Sequence, residues 1–315
     1  MTGTAIRFVR TLLRPATESL RGKDAVVAGL RILAGLLWLY NVSWKTPPDF
    51  GKDAGNGLFQ FTSDAVEHPV LPPYSWVVEH LVLPNFQLFG WAVLAAETAL
   101  AVLLLSGTAV RLAALIGVTQ SVAIALSVVM TPGEWPWAYW MMIGIHVVLF
   151  ATASGRVAAV DGVRAGVPGT RTRLLVGWGA LALLAGAVAL VWSLVEDPFA
   201  SSGVRLGGSD LSVGLGSYNT LGALVLVAVG ALLLAAARLG RDPLAYAGAG
   251  LAVAAAVSLY SQLGFGNVWL GGSNTSAAFL LTLAVVGAAR HSPAARQLQG
   301  TSTPDPGKEP THGAR

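Results

Sequence analysis

The sequence predicts an all-α polytopic membrane protein with eight transmembrane helices, arranged as two four-helix bundles. Hydrophobic residues make up 54% of the 315-residue chain and charged residues only 11%, whereas soluble proteins carry about 25% charged residues. Long apolar runs follow one another with short polar breaks between them, which is typical of polytopic helical membrane proteins. No phosphate loop, dinucleotide fingerprint or nucleophile elbow is found in the sequence.

The chain opens with a basic segment, residues 1–24, ahead of the first apolar run. That run, 25–44, is too long for the core of a signal peptide, and no small-residue cleavage site closes it. We therefore expect a cytoplasmic N-terminal segment followed by a retained first transmembrane helix.

Seven further apolar runs follow, each close to the ~20 residues that a ~30 Å hydrocarbon core requires. The eight predicted spans are 25–44, 88–106, 109–130, 136–153, 174–195, 218–237, 244–262 and 276–290. The first four form a predicted domain at 25–165, and the last four form a second domain at 174–290.

Two segments outside the spans have a recognisable composition. The outer loop 45–87 contains YSWVVEHLVLPNFQLF at 74–89, whose apolar and aromatic residues predict a helix lying on the membrane interface. The tail 291–315 is rich in Pro, Gly, Ser, Thr and Gln, and it is predicted to be a disordered cytoplasmic tail.

The distribution of basic residues predicts that both termini are cytoplasmic. With the N-terminus inside, 16 of the 20 Lys and Arg residues lie in inner segments, and only Lys45, Lys52 and Arg205 lie in outer ones. The positive-inside rule favours this orientation.

The basic residues behind the net charge of +4 are concentrated in the inner segments. We therefore expect the lipid bilayer, and not nucleic acid, as the partner of this charge. Arginine greatly outnumbers lysine, which is typical of a GC-rich bacterial genome and predicts a bacterial plasma membrane.

The two halves share a weak likeness. The stretches GWAVLAAETALAVLLLSGTAVRLAA and GALVLVAVGALLLAAARLGRDPLAYA both place a short turn and an arginine between two helices. Four spans in each half would give both halves one orientation, which favours a parallel 4+4 duplication. The second half has no counterpart of Glu97, Arg31 or His146, so any chemistry is expected within 25–165.

Glu97 is the most unusual residue of the second span, because an ionisable group at that depth is costly and needs a partner. A rise of about 1.5 Å per residue places Arg31, Gln120 and His146 within about two helical turns of it, each on a different span. Inward side chains at one level of a four-helix bundle meet. The sequence therefore predicts a buried Glu97–Arg31 ion pair, with His146 and Gln120 beside it. Glu97, Arg31 and His146 are the candidate catalytic residues.

Each of these residues also has a purely structural interpretation. A buried ion pair can fix the register of two helices, and a lone histidine in a bundle is often a hydrogen-bonded packing residue. Gln120 is typical of interhelical hydrogen bonding. Gly177, Gly179 and Gly186 of the second half are typical of helix-packing contacts.

Cysteine is absent from the chain, which excludes disulfides, thiolate metal sites and thiol-based redox chemistry by this chain itself. The adjacent pairs Glu67–His68 and Glu79–His80 diverge from each other, and no HExxH spacing is present. No metal site is therefore predicted.

Three stretches of the first half resemble the DoxX/DoxD family of small bacterial membrane proteins. They are RILAGLLWLYNVSWKTPPDFG at 31–51, ETALAVLLLSGTAVRLAAL at 97–115 and WAYWMMIGIHVVLFATASGRVAAVDGVR at 137–164. The residues that fill the family pattern are Arg31, Lys45, Glu97, Gly107, Arg111, Gly155, Arg156 and Asp161. The resemblance covers residues 25–165.

The resemblance implies a four-helix bundle associated with membrane redox chemistry, as in a subunit of a thiosulfate:quinone oxidoreductase. On this hypothesis a non-covalently bound quinone lies between the helices, with Gln120 nearby and Trp38, Trp91 and Trp140 flanking its ring. Electrons would then come from a redox partner protein. Two alternatives stay open, a non-catalytic membrane scaffold and a small-molecule or proton-coupled transporter.

Overall fold

The computed structural model describes residues 22–207, 212–262 and 268–290. The predicted tail 291–315 and residues 1–21 of the N-terminal segment lie outside the described residues. The helices of the first half are α1 Lys23–Ser43, α2 Gly57–Glu67, α3 Pro72–Val77, α4 Phe86–Ser106, α5 Val110–Val128, α6 Pro136–Ala151 and α7 Val160–Arg164. The second half comprises α8 Thr170–Val195, β1 Ser202–Gly207, β2 Ser212–Tyr218, α9 Thr220–Leu239, α10 Asp242–Gln262 and α11 Asn274–Ala288.

Six of the described helical segments are long and apolar enough to cross a membrane, namely α1, the run Pro72–Ser106, α5, α8, α9 and α10. At the other two predicted positions, α6 with 16 residues and α11 with 15 residues are shorter apolar helices. The chain is therefore a mostly helical, multi-pass membrane protein by the length and composition of its helices. The total of eight spans and the 4+4 duplication stay predictions.

The loop 45–87 before α4 is largely helical. Helix α3 continues through a π-helical turn, Val78–Val82, and a 3₁₀ turn, Leu83–Asn85, directly into α4. The helix predicted at 74–89 is thus present, but it is continuous with the second predicted span. Trp76 and Leu81 on this run are exposed, as expected for side chains at a membrane interface.

The second half packs through small residues. A Cβ atom added to Gly179 of α8 would lie 3.0 Å from the carbonyl oxygen of Gly230 on α9, and one added to Gly186 would lie 2.8 Å from Val227. A Cβ atom added to Gly177 would have no other atom within 4 Å. Two of the three glycines singled out from the sequence therefore make the predicted helix contacts, and Gly177 does not.

Helix α11 lies between the two halves. It packs against α10 and α8 of the second half and also against α4 and α1 of the first. Its adjacent residues Ala277 and Ala278 belong to two different hydrophobic clusters, one in each half. The last described helix is thus the main structural connection between the halves.

A β-hairpin in the loop after α8 was not predicted. Strands β1 and β2 pair antiparallel, with an irregularity between Gly203 and Arg205. The signal was present as two stretches of alternating apolar residues around GGSD at 207–210, but it is short beside the apolar runs. The hairpin is held to α11, because Ser276 Oγ accepts from Ser217 N at 3.0 Å and donates to Ser217 O at 2.8 Å.

The helices have one end that is rich in arginine. Asp24 at the start of α1 pairs with Arg156 after α6, and Asp242 at the start of α10 pairs with Arg171 at the start of α8. We call this the arginine-rich end. Helix α1 ends, and α4 begins, at the opposite end of the protein.

Candidate functional site

A cavity of about 570 Å³ lies toward the opposite end of the first half, enclosed by α1, α2, α3, α4, α5 and α6. We call it the Lys45 cavity. Its polar or charged lining residues are Asn41, Lys45, Thr62, Glu97, Gln120, Ser127 and Glu134, and its aromatic ones are Tyr40, Trp44, Phe61, Tyr74, Phe89 and Tyr139. Its volume falls within the ~300–1,000 Å³ typical of small-molecule sites.

Lys45 and Glu97 form a buried ion pair in this cavity. The ammonium nitrogen Nζ of Lys45 lies 2.6 Å from Glu97 Oε2, and the two side chains are 1% and 2% exposed. Nζ also donates to the Asn41 carbonyl at 3.0 Å and lies 3.6 Å from the centre of the Trp44 ring. The Gln120 side chain lies beside the Glu97 carboxylate and lines the same cavity. Burial lowers the pKa of Lys45, and the Glu97 carboxylate opposes that change.

The predicted Glu97–Arg31 pair is wrong. Arg31 points to the arginine-rich end, where it donates to the carbonyls of Leu104 at 2.6 Å and Ala158 at 2.7 Å. Leu104 lies seven residues beyond Glu97 on α4, about 10 Å along a helix axis. The terminal carbonyls of a helix lack intrahelical partners and carry partial negative charge, so a guanidinium with several donors suits them well. The depth estimate placed the two α-carbons at similar heights, but it did not account for the direction of the long side chains.

Two other residues of the family pattern, Gly107 and Asp161, lie at the same end of the first half as the Arg31 guanidinium. Gly107 ends α4 in the left-handed conformation, and a Cβ there would lie 2.4 Å from Arg31 Nη1. Asp161 accepts from the backbone N–H groups of Ala109 and Val110, both at 2.9 Å, and its own N–H donates to the Gly107 carbonyl at 2.9 Å. These residues therefore join the α4–α5 turn to α7, whereas Lys45 and Glu97 lie in the cavity.

His146 is engaged at both ring nitrogens. Its Nε2 accepts from Trp38 Nε1 at 2.9 Å, and its Nδ1 donates to the Met142 carbonyl at 2.7 Å. The side chain is buried against Gly117 of α5, where an added Cβ would lie 2.0 Å from His146 Cδ2. His146 does not line the Lys45 cavity. This geometry favours a packing role, and its catalytic role stays a prediction.

Of the four residues predicted to hold a cofactor, only Gln120 lines the cavity. Trp38 is buried beside His146, Trp91 packs edge-on against Phe50, and Trp140 is 62% exposed on the outer surface of α6. The aromatic lining comes instead from other side chains, and two of them, Phe61 and Tyr74, belong to the loop 45–87.

Two tyrosines of the lining were missed in the sequence. Tyr74 OH lies 2.9 Å from Ser127 Oγ and joins α3 to α5. Tyr139 OH donates to the Glu134 carboxylate at the start of α6. The available signal was their position: Tyr139 lies in the first turn of the predicted span 136–153, and Tyr74 is the first residue of the helix predicted at 74–89.

The second half also supports the site. Asn274 Nδ2 donates to the Lys45 carbonyl at 2.6 Å and to the Val42 carbonyl at 3.3 Å. The Tyr260 hydroxyl lies 3.0 Å from Thr98 Oγ1, next to Glu97 in the chain. The prediction placed any chemistry within 25–165, and the lining of the cavity lies there, but residues of the second half hold Lys45 and Thr98 in position.

Comparisons of the chain with family models, with curated proteins and with solved structures give no match. The DoxX/DoxD resemblance therefore rests on the residues of the sequence. The geometry by itself provides a cavity with six aromatic lining residues and with an ammonium, a carboxylate and an amide close together at one place. Such a site can donate hydrogen bonds to ligand oxygens and can accept or return a proton.

Proposed function

We propose that the Lys45 cavity binds the ring of a quinone and that the chain is a DoxX/DoxD-like, redox-linked subunit of a bacterial plasma membrane with both termini in the cytoplasm. The observation that supports the proposal is the convergence of Lys45, Glu97 and Gln120 in one aromatic cavity. A quinone is an apolar ring with two carbonyl oxygens, so it needs aromatic contact and a few placed donors.

The residues of the cavity fit these needs. The Lys45 ammonium and the Gln120 amide are donors for one carbonyl oxygen, and the hydroxyls of Tyr74 and Tyr139 belong to other parts of the lining. When bound, a quinone would accept two electrons and two protons. Glu97 is the group that can hold one of these two protons beside the ring, the other coming from solvent, and the adjacent Lys45 would stabilise its carboxylate after the proton has left.

The electrons would come from a partner protein. The chain has no cysteine and therefore no thiol that could receive electrons from a sulfur compound. Residues of this chain would bind and orient the ring and exchange its protons, which is the work of a quinone-facing subunit. Thiosulfate as the ultimate donor follows only from the resemblance.

Titration of the purified full-length protein with a short-chain ubiquinone or menaquinone tests this function. Tryptophan fluorescence reports binding, since Trp44 lines the cavity. We expect Glu97→Gln and Gln120→Leu to weaken binding, because each removes a polar contact of the ring site. Thr119→Val is the matched control, since Thr119 is the exposed neighbour of Gln120. Equal affinity in all four proteins would contradict the proposal.

A non-catalytic scaffold is the second candidate, and the Lys45–Glu97 pair favours it as well. The pair fastens the end of α1 to the middle of α4 and satisfies both charges. For a scaffold, Glu97→Gln lowers thermal stability while no quinone binds to the wild-type protein.

A further inference from the structure

A second cavity of about 540 Å³ lies at the arginine-rich end, between the start of α5, the end of α6 and α7. Arg111, Arg156 and Arg164 line it, and all three are exposed. We call it the arginine cavity. It shares no lining residue with the Lys45 cavity.

The carboxylates near this cavity leave it with an excess of positive charge. Asp161 is its acidic lining residue, and both of its oxygens already accept from the first N–H groups of α5. Arg164 Nη1 lies 3.3 Å from Asp161 Oδ1, and Arg156 Nη1 lies 3.3 Å from Asp24 Oδ2. Within the described parts of the chain, no ion pair includes Arg111.

Apolar side chains continue from the arginines toward the middle of the helices. Leu112 lines the cavity and is 56% exposed, and Leu115, one turn farther along the same face of α5, is 53% exposed. Just after the end of α6, Thr152 lines the cavity, and the exposed Val148 precedes it by one turn. Two exposed leucines of α5 and one exposed valine of α6 thus lie next to one basic cavity.

We propose that the arginine cavity binds the phosphate headgroup of an anionic phospholipid such as phosphatidylglycerol, whose acyl chains lie along Leu112, Leu115 and Val148. Guanidinium groups match the geometry of phosphate oxygens. Basic pockets between transmembrane helices at the cytoplasmic surface suit anionic headgroups. The adjacent leucines distinguish a lipid from free phosphate, which would leave them without a partner. This site does not depend on quinone binding at the Lys45 cavity.

Native mass spectrometry of the full-length protein in detergent tests the proposal, with phosphatidylglycerol, phosphatidylcholine and inorganic phosphate as separate ligands. The test variants are Arg111→Gln and Arg164→Gln, alone and together. The control is Arg238→Gln, which removes an exposed arginine near the same end of the second half. Thermal stability of each variant is recorded without lipid, so that a loss of fold is recognised.

We expect phosphatidylglycerol to bind more tightly than phosphatidylcholine, and each test substitution to weaken it about fivefold. Arg238→Gln should leave the affinity unchanged. The proposal is overturned if the two lipids bind equally, if the control weakens binding as much as the test variants, or if inorganic phosphate displaces phosphatidylglycerol at similar concentration. In the last case the cavity is a site for free phosphate.

Discussion

The ammonium nitrogen of Lys45 lies 2.6 Å from a carboxylate oxygen of Glu97, and both side chains are almost completely buried. Lys45 follows the last turn of α1, and Glu97 lies in the middle of α4. The lysine stem therefore extends back from a loop into the helix bundle. This contact places a charged pair at one wall of a cavity that has six aromatic lining residues.

The first prediction concerns the pair itself. Lys45→Met leaves a buried carboxylate unpaired, and Glu97→Gln leaves a buried ammonium unpaired, so each should lower the free energy of unfolding by about 3–5 kcal/mol. In the double variant, the loss in the free energy of unfolding should be clearly smaller than the sum of the losses in the two single variants. Thermal unfolding in detergent measures all three. Arg31→Met combined with Glu97→Gln is the control, and its two effects should add, because those side chains do not touch.

Arg31 should not tolerate replacement by lysine. Its two terminal nitrogens donate to carbonyls of two separate segments, at Leu104 and at Ala158. A single ammonium on a different stem cannot reach both in the same geometry, so Arg31→Lys should cost about 1–3 kcal/mol through unpaired buried carbonyls. Arg111→Lys, at an exposed position, should cost much less. Equal melting temperatures for the two variants would contradict the capping role of Arg31.

Gly117 should be essential for the contact between α5 and α6. An added Cβ would lie 2.0 Å from the buried His146 ring, so Gly117→Ala should destabilise the protein by about 1–3 kcal/mol. Gly144 on α6 has open space at its Cβ position. Gly144→Ala should therefore be neutral or should stabilise the helix by roughly 0.5–1 kcal/mol. Thermal unfolding in detergent compares the two variants. A similar loss of stability in both would contradict the packing role assigned to His146.

Asn274 should affect the Lys45 cavity from the second half. Asn274→Leu keeps the approximate size of the side chain but removes the donors to the carbonyls of Lys45 and Val42. Each such hydrogen bond contributes about 1 kcal/mol and holds Lys45 in place. If its loss is transmitted to the site, the affinity for quinone should fall about fivefold. Fluorescence titration measures the affinity.

The control for Asn274 is Ser193→Ala, which removes a buried hydroxyl contact to Thr220 elsewhere in the second half. It should lower stability without changing the affinity. If both variants lose the same affinity, the second half supports only the fold and not the site.

The positions of the long helices could be predicted from the sequence, because an apolar run of membrane length is a local property of the chain. All eight predicted spans coincide with described apolar helices, six of them long enough to cross a membrane. The concentration of buried charge in the first half was also visible, since Glu97 and Arg31 are isolated among apolar residues. The hairpin was missed because its short alternating strands give a weaker signal than the runs around them.

The sequence by itself determined where the helices lie and that Glu97 needs a buried partner, because hydropathy and the cost of burying charge depend only on residue type and neighbours. The tertiary structure decided that Lys45 is that partner and that Arg31 binds helix carbonyls. It also decided that α11 packs between the halves and places Asn274 against Lys45. These contacts depend on how each helix is rotated and how the loop after α1 returns to the bundle, and long side chains there can reach in either direction.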